Sequence, residues 1–333
     1  SIRLLPIKPR PPVTIIFFII LFFFTLEESI SIVDYLYTMS ISRQNLSIVI
    51  VTFKSEDVIH QCIQSIDSGI DIIVVENSDN EKFQKELEEK YSNVKCYISK
   101  KNLGMGAGNN LGFSYAKTDY VLLLNPDVIF EKSMIDKIIL GAKKIISFTI
   151  LSPQSSNIDY PNYKLIEGNK NVIKSDEPFK VKSVDGFAML FDKKKIEKLI
   201  DIKNPNLFDE NFFMYLENDD LCKRVRDMNE NIYVVPDAKI NHFGGKAVNS
   251  KYQEEIEYSR NWHWIWSKFY FNKKHYGYLI ALTQGLPSFF SAILKVIFYF
   301  ITNKKNKKKI YFYRASGFLN ALLGKPSWYR PKI

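Results

Sequence analysis

The stretch Ser47-Ile48-Val49-Ile50-Val51-Thr52-Phe53 decides the fold class of this chain. Its unbroken run of aliphatic, largely β-branched residues is typical of a strand that is buried on both faces of a parallel sheet. Apolar residues then recur at helical spacing across residues 56–68, and a second buried strand follows from Ile70 to Val75. This alternation of strand and helix predicts an α/β fold with a mostly parallel central sheet flanked by helices.

The alternation continues as far as residue 124. We expect a charged helix near residues 81–91, a strand from Val94 to Ile98, a glycine-rich loop entering a helix between Asn102 and Gly112, and a strand from Tyr120 to Leu124. Ligands of such sheets bind beyond the carboxyl ends of the strands. Polar clusters follow three strands at this edge: Thr52 with Ser55, Glu76 to Asp79, and Asn125 to Asp127.

These clusters differ in what they indicate. Gly104-Met105-Gly106-Ala107-Gly108 is not a dinucleotide fingerprint, because its spacing is G-x-G-x-G and it does not follow the first strand. The residues at 77–80 are also compatible with a simple turn. Asp127 is more informative, since a carboxylate after a buried strand suits a hard divalent cation that also binds substrate phosphates.

Composition sets the frame for these motifs. The chain has 333 residues, of which 46% are apolar and 25% charged, so it is globular, with room for one large domain or two smaller ones. A formal net charge of +10 predicts an anionic partner, and the lysine cluster at 304–309 favours a membrane surface over a nucleic-acid groove. The cysteines Cys62, Cys96 and Cys222 have no metal-binding spacing and indicate a reducing compartment.

The N-terminal 38 residues look unlike the rest. Val13 to Leu26 is almost wholly apolar, but it is short for a membrane span, and no small-residue cleavage site follows it. The first methionine is Met39, directly before the polar lead-in to the first strand. One interpretation is that residues 1–38 are not part of the working protein.

The segment from Phe208 to Arg224 (FDENFFMYLENDDLCKR) combines five carboxylates with four aromatic residues. Leu221, Val225 and Met228 recur at helical spacing, which predicts an amphipathic helix capped by Asn218. Glu217 would then lie on the loop just before the cap. A carboxylate beside buried aromatic residues can act as a base with a tuned pKa, whereas the alternative reading is only a well-capped helix with an acidic first turn.

Seven motifs in order resemble one known family: SIVIVTFKS, VVENSD, NLGMGAGNNLG, LLLNPDV, DGFAMLF, FDENFFMYLENDDLCKR and NHFGG. The order is similar to that of family 2 glycosyltransferases with the GT-A fold, and within them to the bacterial rhamnosyltransferase-like branch. The resemblance covers about residues 45–275. It implies a GT-A catalytic domain over residues 39–260, followed by an aromatic, basic and membrane-associated helical region over residues 261–333.

The resemblance also implies roles for individual residues. Donor-binding roles fall on Thr52, Glu76 with the adjacent Asn77, Asn102, Gly104, Asn110 and Asn125. Asp127 stands in the D-x-D-type metal motif, and His242 matches a histidine that helps to hold the metal, Mg²⁺ or Mn²⁺, or the diphosphate. Asp185 and Gly186 would lie on the floor of the acceptor site.

The family's catalytic acidic pair is usually Glu-Asp, but this chain has Glu217-Asn218. Asparagine cannot take a proton, so the resemblance implies that Glu217 or Asp219 is the base. We favour Glu217, with Asp219 and Asp220 as supports for the acceptor or the helix.

The C-terminal region mixes aromatic and basic residues across residues 260–278, which suits a membrane interface and also RNA. Leu279 to Ile301 is long and apolar, but Gln284, Pro287 and Lys295 interrupt it. A span would place the lysine cluster and the catalytic domain on opposite sides of the membrane, so we expect an interfacial or re-entrant helix pair. The alternative is a buried helix that packs on the catalytic domain.

The sequence therefore predicts an inverting, metal-dependent glycosyltransferase at the cytoplasmic face of the bacterial plasma membrane. It would move rhamnose from dTDP-rhamnose to a cell-surface polysaccharide or lipid-linked glycan, without a nucleic-acid partner, and an oligomer is compatible with the sequence. The alternatives are another donor (UDP-galactofuranose, UDP-glucose or UDP-N-acetylglucosamine) or an inactive glycan- or nucleotide-binding protein. Nucleotidyl transfer is disfavoured, because Thr52-Phe53-Lys54-Ser55 is not the basic glycine loop that it needs.

Overall fold

The computed structural model describes residues 41–157, 159–166, 176–200 and 205–333. The interpretation of residues 1–38 falls outside these ranges. The strands are β1 (Leu46–Thr52), β2 (Asp71–Glu76), β3 (Val94–Ile98), β4 (Tyr120–Leu124), β5 (Val128–Phe130), β6 (Ile150–Ser155), β7 (Tyr163–Lys164), β8 (Phe179–Lys180), β9 (Ser183–Val184), β10 (Ala188–Asp192) and β11 (Ile232–His242). The helices are α1 (Ile59–Gln64), α2 (Glu81–Lys90), α3 (Met105–Tyr115), α4 (Met134–Lys143), α5 (Lys193–Ile196), α6 (Glu217–Asp227), α7 (Gln253–Tyr276), α8 (Tyr278–Ile301) and α9 (Lys305–Leu322).

The central sheet orders its strands β3-β2-β1-β4-β10-β6-β11-β5, with β8 paired to β11. The first four strands of this order run parallel, with Thr52 beside Glu76 at the end of the β1–β2 pair. β10 is antiparallel to both of its neighbours, and β6 runs parallel to β11. The carboxyl ends of β1, β2 and β4 therefore share one edge of the sheet.

The core of the sheet follows from its sequence. Every residue of β1 and of β4 is buried, as expected for aliphatic strands covered on both faces. Helix α3 packs against the sheet through glycines: a Cβ atom at Gly112 would lie 2.3 Å from the side chain of Val49. The three cysteines are buried and free.

The C-terminal helices α7, α8 and α9 pack around a second apolar cluster of Tyr258, Trp262, Trp266, Phe269, Ala281, Phe318, Ala321 and Tyr329. The predicted domain boundary between residues 260 and 261 falls inside α7. Among the described residues, α8 is the one helix long and apolar enough to cross a membrane, by length and composition, and 11% of its most apolar window is buried.

Candidate active site

The ends of β1 and β2 are tied together by short polar contacts. The Thr52 hydroxyl is fully buried and donates to the Val75 carbonyl at 3.3 Å, while the Asn77 N–H donates to the Thr52 carbonyl at 2.9 Å. Glu76 is also fully buried, and its Oε2 accepts a hydrogen bond from the Ser78 N–H. Desolvation raises the pKa of Glu76. Thr52 therefore supports the sheet, whereas Glu76 presents a polar group at the strand end.

The loop before α3 connects this strand end to the segment that precedes α6. Asn77 donates to the Gly104 carbonyl at 3.2 Å, and the Asn102 side chain accepts from the Gly104 N–H at 3.0 Å. Gly104 has a φ of +85°, and a Cβ atom there would lie 2.3 Å from the Phe213 carbonyl oxygen. That oxygen accepts a hydrogen bond from the Met105 N–H at 3.0 Å. Only glycine fits this close approach in this backbone conformation.

Asn110, on α3, uses its side chain to bond other parts of the protein. Its amide donates to the Phe208 carbonyl at 2.9 Å and to Glu210 Oε1 at 3.0 Å, and it accepts from the Phe208 N–H at 2.8 Å. These bonds occupy the side-chain amide with protein partners. Asn110 therefore links α3 to the segment that leads into α6.

Asp127 and His242 face each other beyond the edge of the sheet. Asp127 is 3% exposed, and its Oδ1 lies 3.4 Å from His242 Nε2. Phe187 stacks on the His242 ring with centroids 4.0 Å apart and so fixes its orientation. Asn125 lies beside them, its backbone N–H bonded to the Phe187 carbonyl at 2.9 Å. In the described ranges no three His, Cys, Asp or Glu side chains form a metal-binding group.

Asp185, Gly186 and Asp219 form a second polar group. Asp185 is exposed, yet the protein around its carboxyl partly desolvates it and raises its pKa, and Asp219 raises the pKa further. Lys164 pairs with Asp219 Oδ1 at 2.8 Å. A Cβ atom at Gly186 would lie 3.3 Å from Cβ of Asn218, so this segment packs directly on the start of α6.

Glu217 begins helix α6, so the prediction that Asn218 caps the helix is wrong. The N-cap residue is Leu216, and the Asn218 side chain instead donates to the Val184 carbonyl at 2.9 Å. This bond ties the helix to β9, because an amide can donate where a carboxylate cannot. Met228, predicted on the apolar face, is 50% exposed, whereas Leu221 and Val225 are fully buried.

The backbone entering α6 is strained. Tyr215 and Leu216 have φ values of +71° and +67°, a left-handed conformation that is rare for bulky residues and concentrates at functional sites. The turn is held by the Ser267 hydroxyl, which donates to the Met214 carbonyl at 2.8 Å, and by the Asp220 N–H, which donates to the Leu216 carbonyl at 2.8 Å. It places Glu217 at the start of the helix.

Burial of the Glu217 carboxyl, with a smaller contribution from the nearby Asp219, raises its pKa to about 7. Three carboxylate oxygens around this site are buried and lack a hydrogen-bond partner within residues 41–157, 159–166, 176–200 and 205–333: Glu76 Oε1, Asp127 Oδ1 and Glu217 Oε2. A buried polar atom without a partner is costly, so such groups point to ligands. The site therefore offers carboxylates to a bound molecule at three places.

Asp220 is different, because cations surround it. Its carboxylate lies 2.7 Å from Lys274 Nζ, 2.8 Å from His275 Nε2 and 3.0 Å from Arg224 Nε. Although burial acts to raise the pKa of Asp220, hydrogen bonds and charge from these partners leave it lowered. Asp220 thus joins α6 to the end of α7, which fits a helix-supporting role.

Two further cations at the site were not predicted as functional. Arg260, counted only among the basic residues of the interface-like stretch, donates to the Gly245 carbonyl at 3.3 Å and lies near Tyr215. It stands between the loop after His242 and the turn before Glu217. Its position soon after the NHFGG motif is the one feature of the sequence that could have predicted a role at the site, whereas nothing in the sequence predicted one for Lys164.

Comparisons with known proteins bear on the family and the fold. Residues 47–200 match the family model described as Glycosyl transferase family 2. The matched range runs from β1 to β10 and ends before α6 and His242.

Two curated relatives are similar to this chain. The low-salt glycan biosynthesis hexosyltransferase Agl10 of Haloferax volcanii is 26% identical over 204 residues, 56% of this chain and 64% of that protein. The rhamnosyltransferase WbbL of Escherichia coli K12 is 28% identical over 215 residues, 57% of this chain and 80% of that protein. The chain thus spans a little under two thirds of the length of the first relative.

A solved structure, the mannosyltransferase PcManGT from Pyrobaculum calidifontis in complex with GDP-Man and Mn²⁺, superposes with a TM-score of 0.51 at 11% identity. The match covers 84% of this chain and 88% of that one. This likeness concerns the fold alone, and with the family match it confirms the predicted GT-A architecture.

Proposed function

We propose that the protein is a metal-dependent inverting glycosyltransferase, on the premise that residues 47–200 match the model of glycosyltransferase family 2. It would transfer a sugar from a nucleotide-diphosphate donor to an acceptor hydroxyl. The observation that carries the proposal is the set of three unpartnered, buried carboxylate oxygens among the described residues, on Glu76, Asp127 and Glu217. Each suits a different part of this reaction.

On the leaving-group side, Asp127 and His242 would hold a divalent ion. The unpartnered Asp127 Oδ1 and the His242 Nε2 at 3.4 Å fit such an ion, and phosphate oxygens of the donor would complete its ligands. Mg²⁺ or Mn²⁺, when bound, stabilises the negative charge that develops on the departing diphosphate. Arg260, between the His242 loop and the Tyr215 turn, adds a fixed positive charge on the same side.

On the acceptor side, Glu217 would remove the proton from the attacking hydroxyl. A base works best when its pKa lies near the working pH, and the Glu217 pKa of about 7 meets that requirement. Asp219 and Asp185, beside Lys164, would bind acceptor hydroxyls. The transfer forms a bond from the acceptor oxygen to the sugar and breaks the bond from the sugar to the diphosphate, with the proton passing to Glu217.

The donor would lie along the carboxyl ends of β1, β2 and β4. Glu76 Oε1 can accept a hydrogen bond from the base or ribose, and the Asn102–Gly104 loop closes on the diphosphate. Asn77 and Thr52 hold the strand ends and the Asn102–Gly104 loop in place through the hydrogen bonds described above. Asn125 borders the metal pair.

We propose rhamnose, from dTDP-rhamnose, as the transferred sugar, because one relative is a rhamnosyltransferase. UDP-galactofuranose, UDP-glucose and UDP-N-acetylglucosamine remain the competing donors. The acceptor would be a cell-surface or lipid-linked glycan. Since sugar nucleotides are made in the cytoplasm, the enzyme would act at the cytoplasmic face of the membrane.

A second candidate, an inactive glycan- or nucleotide-binding protein, is favoured by one observation. Asn218 takes a position where the family usually has an aspartate, and its amide is committed to the Val184 carbonyl. If the missing aspartate were essential, the protein would bind donors without turning them over.

The deciding experiment is donor turnover. Purified protein is incubated with dTDP-, UDP- and GDP-sugars, with Mn²⁺, Mg²⁺ or a chelator, with and without glycan acceptors, and released nucleoside diphosphate is measured. We expect metal-dependent release from one donor, and loss of that release in Asp127→Asn. Asp71→Asn, at the exposed amino end of β2, is the matched control. Donor binding without release under all conditions would favour the inactive binding protein.

A further inference from the structure

One face of α8 exposes a stripe of large apolar side chains. Leu279, Phe290, Ile293, Leu294, Ile297 and Ile301 are spaced so that they share one face of the helix, and all are exposed. Leu294 is 68% exposed and Ile301 75%. The small residues Ala281 and Ala292 on the opposite face are buried against the neighbouring helices. The sequence of α8 therefore places its small residues inward and its large apolar residues outward.

Basic residues border this stripe at one end. Lys304, Lys305 and Lys307 are exposed at the turn and start of α9, and Lys308 lies 5.3 Å from the ring of the exposed Phe300. From residue 258 to the end of the sequence there is neither Asp nor Glu, although Lys and Arg recur throughout. The surface is thus apolar with a cationic rim, and α8 and α9 contain no acidic residue, although Lys309 pairs with Glu254 on α7 at 3.8 Å.

We propose that α8 lies in the plane of an anionic bilayer surface, with this stripe among the acyl chains and the lysines of the α8–α9 turn on acidic headgroups. Apolar insertion and electrostatic attraction act together at such sites. A second copy of this surface would cover the apolar stripe, but its α8 and α9 would offer the lysines no negative charge, because they contain no Asp or Glu. The inference concerns docking and does not depend on the proposed transfer reaction.

The structure favours the in-plane arrangement over a membrane span. α9 runs back along α8: Phe318 stacks on Phe289 at 5.0 Å, and Tyr311 stacks on Tyr299 at 5.5 Å. If α8 crossed the bilayer, the part of α9 beside it would carry four lysines at 305–309 and Arg314 into the hydrocarbon. Charged side chains at that depth are costly, so the helix pair is built for the interface.

The test is flotation of the full chain with vesicles of phosphatidylcholine alone or with added phosphatidylglycerol, in the absence of sugar nucleotides. We expect the double variant Leu294→Asp, Ile297→Asp to bind anionic vesicles at least tenfold more weakly. Ile146→Asp, at an exposed isoleucine after α4, should leave binding unchanged. The triple variant Lys304→Gln, Lys305→Gln, Lys307→Gln should lose the preference for phosphatidylglycerol, whereas Lys82→Gln, Lys85→Gln, Lys90→Gln on α2 should keep it.

Thermal unfolding of each variant identifies any that fails to fold. The double variant Leu294→Ser, Ile297→Ser is a milder substitution that tests the same face if the Asp variant does not fold. Unchanged vesicle binding in both α8 pairs would overturn the proposal. Resistance of the wild-type protein to alkaline carbonate extraction would show a span instead. A dimer in light scattering that dissociates in the α8 variants, without vesicle binding, would assign the face to a second copy. Donor turnover in detergent is measured separately and bears only on the transfer reaction.

Discussion

At the scale of single residues, the pKa of Glu217 is set by two opposing effects. The N-terminus of α6 favours a negative charge by about 0.3–1 kcal/mol. Burial acts the other way and moves the pKa from 4.5 to about 7, which corresponds to about 3 kcal/mol. Desolvation therefore dominates, and Glu217 is a carboxyl that exchanges its proton near neutral pH. The strained Tyr215–Leu216 turn holds it in this position.

The first prediction concerns the pH dependence of transfer. Turnover should rise with pH through an apparent pKa near 7, because only ionised Glu217 can accept the acceptor proton. Glu217→Gln should lower kcat by at least 10²-fold, with little change in donor binding. The measurement is kcat/KM against pH for the wild type and the variant. A profile that instead follows Asp219→Asn would transfer the role of base to Asp219.

Glu217 also makes the free energy of unfolding depend on pH, because its ionisation destabilises the folded state. The pKa of Glu217 in the folded state is raised above the unfolded value of 4.5. Its stabilising contribution to the free energy of unfolding is therefore fully present below pH 4.5 and is lost as pH rises through about 7. Glu217→Gln should therefore unfold at a higher temperature than the wild type at pH 8 and at a similar temperature near pH 4.5. Thermal unfolding at the two pH values measures this difference, and a lower unfolding temperature of Glu217→Gln at pH 8 would contradict it.

The second prediction concerns Asn218. Asn218→Asp restores the family's usual pair, but it removes the donor to the Val184 carbonyl and adds a charge beside Glu217. We expect a loss of about 1–3 kcal/mol in stability and no gain in turnover. The comparison is unfolding free energy and donor release for Asn218→Asp against Asn218→Ser. A large gain in turnover would show that Asn218 disables the site.

Sequence reasoning names the residues whose chemistry shows locally, but it does not reveal contacts with distant partners. Glu217 and Asp127 stand out because a carboxylate beside aromatic residues or after a buried strand is unusual in itself. Asn110 was predicted to bind the donor, but its side chain bonds Phe208, 98 positions along the chain, and Arg260 owes its place to the loop after His242. No local pattern encodes such contacts.

At the scale of elements, an ionic network joins α6 to the C-terminal helices. Asp220 on α6 meets Lys274 and His275 at the end of α7, and Lys274 also meets Asp209 at 2.8 Å. These groups are largely buried, so removing one charge leaves its partners uncompensated. The network thus couples the position of α6 to the three-helix unit formed by α7, α8 and α9.

The third prediction tests this coupling. Asp220→Asn should cost about 3–5 kcal/mol of unfolding free energy, because Lys274, His275 and Arg224 lose their common counterion. Asp227→Asn on the same helix breaks only an exposed pair with Lys223 and should cost less than about 1 kcal/mol. Equal effects in denaturant unfolding would show that the network contributes no more than a surface pair.

The elements predicted best are those with strong local patterns. Strands β3 and β4 begin and end where the sequence indicated, since their apolar runs are bounded by polar residues. β10 is buried through Phe191 and runs antiparallel between β4 and β6, which its apolar run did not reveal. The start of α6 was misplaced because the strained turn at Leu216, rather than the capping side chain of Asn218, begins the helix.

At the scale of the whole molecule, the C-terminal tail returns to the loop that precedes α6. His263 on α7 is fully buried, accepts from the Ser327 hydroxyl at 3.0 Å and donates to the Tyr329 carbonyl at 2.8 Å, and burial lowers its pKa to about 3. The Arg330 guanidinium lies 3.7 Å from the ring centre of Phe213. Removal of everything after residue 275 would therefore expose the core of α7, which is why point variants are the better probes of membrane docking.

The fourth prediction follows from this contact between the tail and the loop. The ring of Phe213 contacts Arg330, the residue packs closely on Gly104 and accepts a hydrogen bond from the Met105 N–H, and it lies four residues before Glu217. Arg330→Met keeps most of the packing volume but loses a cation–π contact of about 0.5–2 kcal/mol. We expect a loss of stability in that range and a several-fold fall in kcat, with faster amide exchange across residues 213–217. Lys332→Met, exposed two residues further on, is the control. If Arg330→Met lowered stability but left kcat and exchange at the loop unchanged, the tail would stabilise the three-helix unit alone, and the geometry of Glu217 would depend only on the contacts of α6 with β9 and α7.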